Sequence, residues 1–174
     1  MLSRFRMDVV CGTVAEAVAH AGGLICDRSL TGWDVGVFAT RDTPTAQQDL
    51  GLRVLGATRI DNMALEPAEQ PLLRAVVVSG DLYRSDDDVR RWVEDAMREP
   101  GIEVLVWETA RPGPAGGRVE IPISRAAAIF VEHAHAIVDC GAAGRNSETY
   151  RQLRTGRLRQ PLRREATLTK VTGG

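Results

Sequence analysis

The residues best placed to do chemistry lie at the ends of two apolar runs. Leu73–Val78 leads into Ser79-Gly80-Asp81, and Ile102–Trp107 leads into Glu108-Thr109. If both runs are parallel strands, these side chains gather where open α/β sheets bind ligands, beyond the carboxyl ends. Asp81 and Glu108 could then act as a base or hold a divalent cation through oxygen, with Ser79 beside them. Gly80 would let a ligand approach the backbone. The plainer reading makes Asp81 a turn residue and Glu108 a solvated carboxylate.

Other reactive side chains read as structural. Asp86-Asp87-Asp88 resembles a metal box, but consecutive helical residues diverge by ~100°, so three carboxylates in a row cannot converge on one ion. They suit a helix start, opposite the positive end of the dipole. His133 and His135 would share a metal on a strand; on the helix expected here they point apart. His20 falls in the last turn of a first helix, where a cationic ring favours the dipole. Cys140 follows a helix, and a helix C-terminus disfavours a thiolate. Cys11 and Cys26 read as small core residues. No glycine stretch matches a phosphate loop, and no metal or nucleotide signature is complete, so no cofactor is expected.

Arginine forms the second candidate feature. Residues 145–174 hold eight basic and two acidic side chains, whereas 1–144 hold 14 basic and 21 acidic. Arg151, Arg154, Arg157, Arg159, Arg163 and Arg164 could neutralise phosphates or dock on an acidic protein surface. Only Tyr150 in this stretch offers a base a stacking surface, so single-strand nucleic-acid readout has little support. Of the 22 basic residues Lys170 alone is lysine, a skew that fits a GC-rich bacterial coding sequence as well as selection for guanidinium.

The elements that must position these groups follow from periodicity. Thr13 and Glu16 have capping-box spacing, Val14, Val18 and Ala21 form an apolar stripe, and Gly22-Gly23 ends a helix over 13–22. Leu24–Cys26 and Trp33–Phe38 read as a hairpin, and Leu52–Ile60 as a strand. Leu73–Val78, a helix capped by Ser85, and Ile102–Trp107 make a right-handed βαβ crossover. Arg118–Ile123 alternates like an edge strand that tolerates Pro122. Ser124 then caps a helix through about 138. A short helix around Tyr150, Leu153 and Leu158 follows.

The expected fold is therefore α/β (or α+β): a single mixed β-sheet of five to six strands with a βαβ crossover, flanked by about three helices. Its domain would be 1–144, with 145–174 as an arginine-rich C-terminal arm, partly helical or disordered. The 174 residues suffice for one core. Three scattered cysteines fit a reducing cytoplasm, and neither a membrane span nor a signal-type cleavage region is apparent. Two functions compete. The first is a regulatory or protein-interaction module, with a homodimer or protein partner contacted through the arm. The alternative is a small enzyme acting on an anionic substrate around Ser79, Asp81 and Glu108.

Overall fold

The computed structural model describes residues 5–63, 73–108, 116–141 and 143–154. Twelve elements follow in chain order: β1 (Phe5–Cys11), α1 (Val14–Leu30), β2 (Asp34–Ala39), α2 (Ala46–Val54), β3 (Thr58–Arg59), β4 (Leu73–Ser79), α3 (Gly80–Ser85), α4 (Asp87–Arg98), β5 (Ile102–Trp107), β6 (Gly117–Pro122), α5 (Arg125–Val138) and β7 (Ser147–Arg154). They build an α/β fold on one seven-stranded sheet of order β3-β2-β1-β4-β5-β7-β6. β1 to β5 run parallel, and β7 is antiparallel to both β5 and β6.

Alternation along the central strands makes two cores. Met7, Val9, Cys11, Val77, Leu105 and Trp107 face α1, α2 and α5. Val10, Val76, Val78, Val104 and Val106 face α3 and α4. A strand buried on both faces reads as continuously apolar, which is why β4 and β5 are plain in the sequence. The α4 crossover between them is the expected βαβ unit, and it packs on the opposite face from α1.

β1 shows no such run because Arg6 and Asp8 interrupt it. Asp8 is nonetheless buried, its carboxylate held by Arg6 Nε (2.9 Å) and by Arg74 Nε (3.0 Å) from β4. Pairing by two guanidinium groups is what permits a charge inside a central strand. β1 leads to β2 in one direction across the sheet while β4 and β5 extend in the other, so the strand order reverses between β1 and β4.

Several sequence expectations need correction. The hairpin is absent: α1 continues through Gly22-Gly23, so Leu24–Cys26 is helical, and β2 pairs in parallel with β1. Gly23 serves close packing and does not stop the helix. A Cβ on Gly23 would lie 2.5 Å from Ile123 Cγ1 and 3.0 Å from Glu148 Oε1. Leu52–Ile60 is the end of α2 followed by the two-residue β3. Asp86, not Ser85, caps α4, accepting from the amides of Asp88 and Val89 (both 3.0 Å). Beyond residue 144 the expected helix is instead β7, inserted between β5 and β6. Its alternation is disguised because Glu148 and Tyr150 form the inward face, and both are polar. β6 lies at the sheet edge, with exposed Pro122 tolerated there as expected.

Candidate functional site

The reversal between β1 and β4 makes their carboxyl ends a switch point, where doubly wound sheets form a ligand-binding crevice. Glu16, in the first turn of α1, spans it. Its Oε2 accepts from the Gly12 amide just past β1 (2.9 Å). Its Oε1 accepts from Ser79 Oγ at the end of β4 (2.5 Å) and from Trp107 Nε1 at the end of β5 (3.3 Å). One carboxylate thus ties together the ends of the three central strands. The Thr13 hydroxyl accepts from the Glu16 amide (3.1 Å). The capping box is therefore half formed, because the Glu16 side chain reaches Gly12 instead of Thr13. Gly80 must be glycine, since a Cβ there would lie 2.7 Å from the Trp107 carbonyl oxygen.

His20 sits one turn after Glu16 on the same face of α1, inside the helix and not in its last turn. Its imidazole lies parallel to the Trp107 indole. Burial lowers its pKa below the usual 6.5 and Arg145 lowers it further, while Glu16 and Asp81 pull the other way. At neutral pH the ring is chiefly uncharged and basic. Asp42, on the loop after β2, accepts from the Val14 amide at the start of α1 (2.5 Å).

The three residues expected to form the site do not converge. Ser79 is fully buried and donates to Glu16. Asp81 lies in α3, more than half exposed and paired with Arg84. Glu108 is paired with Arg151, with Nε and Oε1 2.9 Å apart. That Nε–H is not aimed at the carboxylate, so the contact is an ion pair without a hydrogen bond; Arg151 Nη1 donates to the Gly116 carbonyl (3.1 Å). Arg151 is therefore engaged within its own sheet, and Arg154 is the last residue of β7. Thr109, Arg157, Arg159, Arg163 and Arg164 lie outside the described residues.

Glu16, His20 and Trp107 were missed as a set, although Glu16 and His20 stand four residues apart on a helix. That spacing gains meaning only once β1 is known to precede α1. The remaining reactive groups behave as the sequence suggests. His133 is exposed on α5, while buried His135 donates from Nδ1 to the Gly141 carbonyl (3.2 Å). All three cysteines are unpaired, and burial raises each thiol pKa, Cys26 to about 11.

A concavity lies on the α1 and α5 side. It has a volume of ≈ 330 Å³ and is lined by Ala19, Ile129, Glu132, Cys140, Arg145 and Glu148, among others. Glu148 is buried behind it, accepting from the Gly23 (2.6 Å) and Leu24 (2.9 Å) amides of α1 and from the Tyr150 hydroxyl (2.8 Å).

No family model and no curated protein matches the sequence. Solved structures do share the fold. A zinc-inhibited form of a teicoplanin deacetylase is similar over 84% of this chain and 97% of its own, with a TM-score of 0.56 and 12% identity. An antimicrobial-pseudoaglycone deacetylase is similar over 79% and 82%, with a TM-score of 0.57 and 14% identity. The 4-carboxy-2-hydroxymuconate hydratase of Pseudomonas putida is similar over 90% and 99%, with a TM-score of 0.51 and 12% identity. At these identities the likeness concerns the fold.

A metal does not fit the crevice as it stands. Among the described residues, no group of three or more His, Cys, Asp or Glu side chains could hold one. Both Glu16 oxygens accept hydrogen bonds from neighbours, and the Asp42 carboxylate is held by the Val14 amide. No helix among the described residues is long and apolar enough to cross a membrane.

Proposed function

We propose that this chain is an enzyme that activates water against a small, carboxylate-bearing substrate at the carboxyl ends of β1, β4 and β5. The observation that carries this reading is the His20 imidazole lying parallel to Trp107, one helical turn from the carboxylate that bridges the switch point, with burial lowering its pKa. His20 takes a proton from water as the oxygen attacks an electrophilic carbon, and returns it to the leaving group or to the adjacent carbon. Arg145 supplies the positive charge for an anionic substrate. Glu16 and Ser79 are positioning residues, fixing α1 against the strand ends. Deacetylases and a hydratase among the fold neighbours support the choice, because each of those named reactions consumes water.

The first expectation, an interaction module acting through a basic arm, loses ground to its enzymatic alternative. Residues 147–154 are sheet, and Arg151 is internally paired. The test is a proton-NMR screen of N-acetylated amino acids and amino sugars, of amino acids acetylated on the side chain with the α-amino group free, and of unsaturated carboxylates, following acetate release and water addition together. Turnover by the native chain that is lost in His20→Gln supports the reading. Turnover that survives His20→Gln removes His20 from its role, and binding of a protein partner with no turnover across the panel returns the interaction module.

A further inference from the structure

The 330 Å³ cavity between α1, α5 and the segment joining α5 to β7 is at the small end of the range for ligand pockets (~300–1,000 Å³). Its walls divide by chemistry. Ile123, Ile129, Val131 and Ala19 give an aliphatic surface, and Ile129 is 60% exposed although it is large and apolar. Arg145 and Glu132 also line the cavity, both exposed, and neither forms an ion pair or hydrogen bond among the described residues. Elsewhere among the described residues Asp8, Asp34, Asp49 and Glu103 all hold arginines. An unpaired cation and an unpaired anion facing one aliphatic chamber are complementary to a ligand carrying both charges.

We infer that this cavity binds a small zwitterion with an aliphatic body, of the α-amino-acid class, its carboxylate on Arg145 and its ammonium on Glu132. A ligand with a carboxylate alone would forgo the pairing with Glu132 and would meet the buried Glu148 side chain, which also lines the cavity. Arg145 also acts electrostatically on His20, whose neighbour Ala19 lines the cavity. The site therefore holds the non-reacting part of the substrate beside the base. This deepens the reading given above and rests on it for the ligand's being a substrate; the ligand class rests on the cavity alone.

Cys140 provides a readout independent of catalysis. It lines the cavity and is half-buried, whereas Cys11 and Cys26 are buried. Iodoacetamide labelling of Cys140, followed by mass spectrometry, measures occupancy. Three probes of one shape separate the charges: L-leucine, 4-methylpentanoate and 3-methylbutylamine. L-Leucine should protect Cys140 saturably, with a Kd on the order of 1 mM or tighter, and each single-charge probe should bind at least about tenfold more weakly. Arg145→Gln should weaken L-leucine and 4-methylpentanoate alike, and Glu132→Gln should abolish the preference for L-leucine over 4-methylpentanoate. Absence of protection by L-leucine, or equal protection by 4-methylpentanoate, overturns the assignment. Protection without turnover in the NMR screen keeps the ligand class and removes the catalytic reading; turnover without protection does the reverse.

Discussion

The imidazole of His20 lies face to face with the indole of Trp107, ring centroids 6.0 Å apart and planes 4° from parallel. The indole itself is pinned, because Trp107 is buried at the end of β5 and its Nε1 donates to Glu16. Burial of the ring beside this fixed aromatic favours the uncharged imidazole.

The His20 titration followed by NMR should therefore have its midpoint below 6.5. Arg145→Gln should raise that midpoint and Glu16→Gln should lower it, since the first removes a positive and the second a negative neighbour. The acidic limb of any pH–rate profile should move with it. Linkage has a matching sign: a lowered folded pKa contributes stability above the unfolded value, and this is lost as pH falls through the folded one. A midpoint at or above 6.5 contradicts the role given to His20.

Ser79→Ala should cost about 1–3 kcal/mol in urea denaturation, because it removes a buried donor to the Glu16 carboxylate. Ser79→Thr, which keeps the hydroxyl, should recover part of the catalytic rate if the role is positional. A rate that falls equally in both variants would point to packing instead.

The two adjacent glycines of α1 should respond oppositely. A Cβ at Gly22 meets only ordinary contacts, the nearest 3.6 Å away, so Gly22→Ala should stabilise by up to ~1 kcal/mol through helix propensity. Gly23→Ala forces Ile123 and Glu148 aside and should destabilise by roughly 1–3 kcal/mol. Thermal melts of the two single variants decide this.

Asp8→Ala should cost roughly 3–5 kcal/mol, since it strands Arg74, only 13% exposed, without a counter-charge. Adding Arg74→Met should restore a substantial part of the loss. Purely additive double-variant denaturation would show that the ion pair contributes nothing specific.

Burial raises the Glu148 carboxyl above its usual 4.5, against the hydrogen bonds from Leu24, Gly23 and Tyr150. A raised folded pKa favours the protonated native state. The stability it confers is complete below the unfolded pKa and declines as pH rises through the folded one. The difference in unfolding free energy between the native chain and Glu148→Gln should therefore fall with pH immediately above 4.5; a rising difference would refute the direction.

Those elements whose burial is uniform were legible in the sequence. β4, α4 and β5 stand out because both faces of the strands are apolar and the helix has a charged outer side. β1 did not, because Asp8 and Arg6 place charges in a central strand, and part of what makes them tolerable there is Arg74, 66 residues from Asp8. With β1 unseen, α1 had no anchor, and Glu16 was explained by capping alone. Gly22-Gly23 has a strong local meaning, helix termination, that tertiary packing against Ile123 overrides. Ser79 does stand at a strand end, as its place after Leu73–Val78 implies, but it donates to Glu16, while Asp81 turns away into α3.

The position of β7 bears on how the chain is made. β6 leaves the ribosome earlier but finds its neighbour only when β7 arrives, and β7 separates it from β5. A nascent chain halted before residue 147 carries an orphan edge hairpin partner and an uncovered flank on β5, both templates for mispairing. Shortening the chain to ask what its arginine-rich end does must therefore begin after Arg154, or the outcome will report a sheet that never closed.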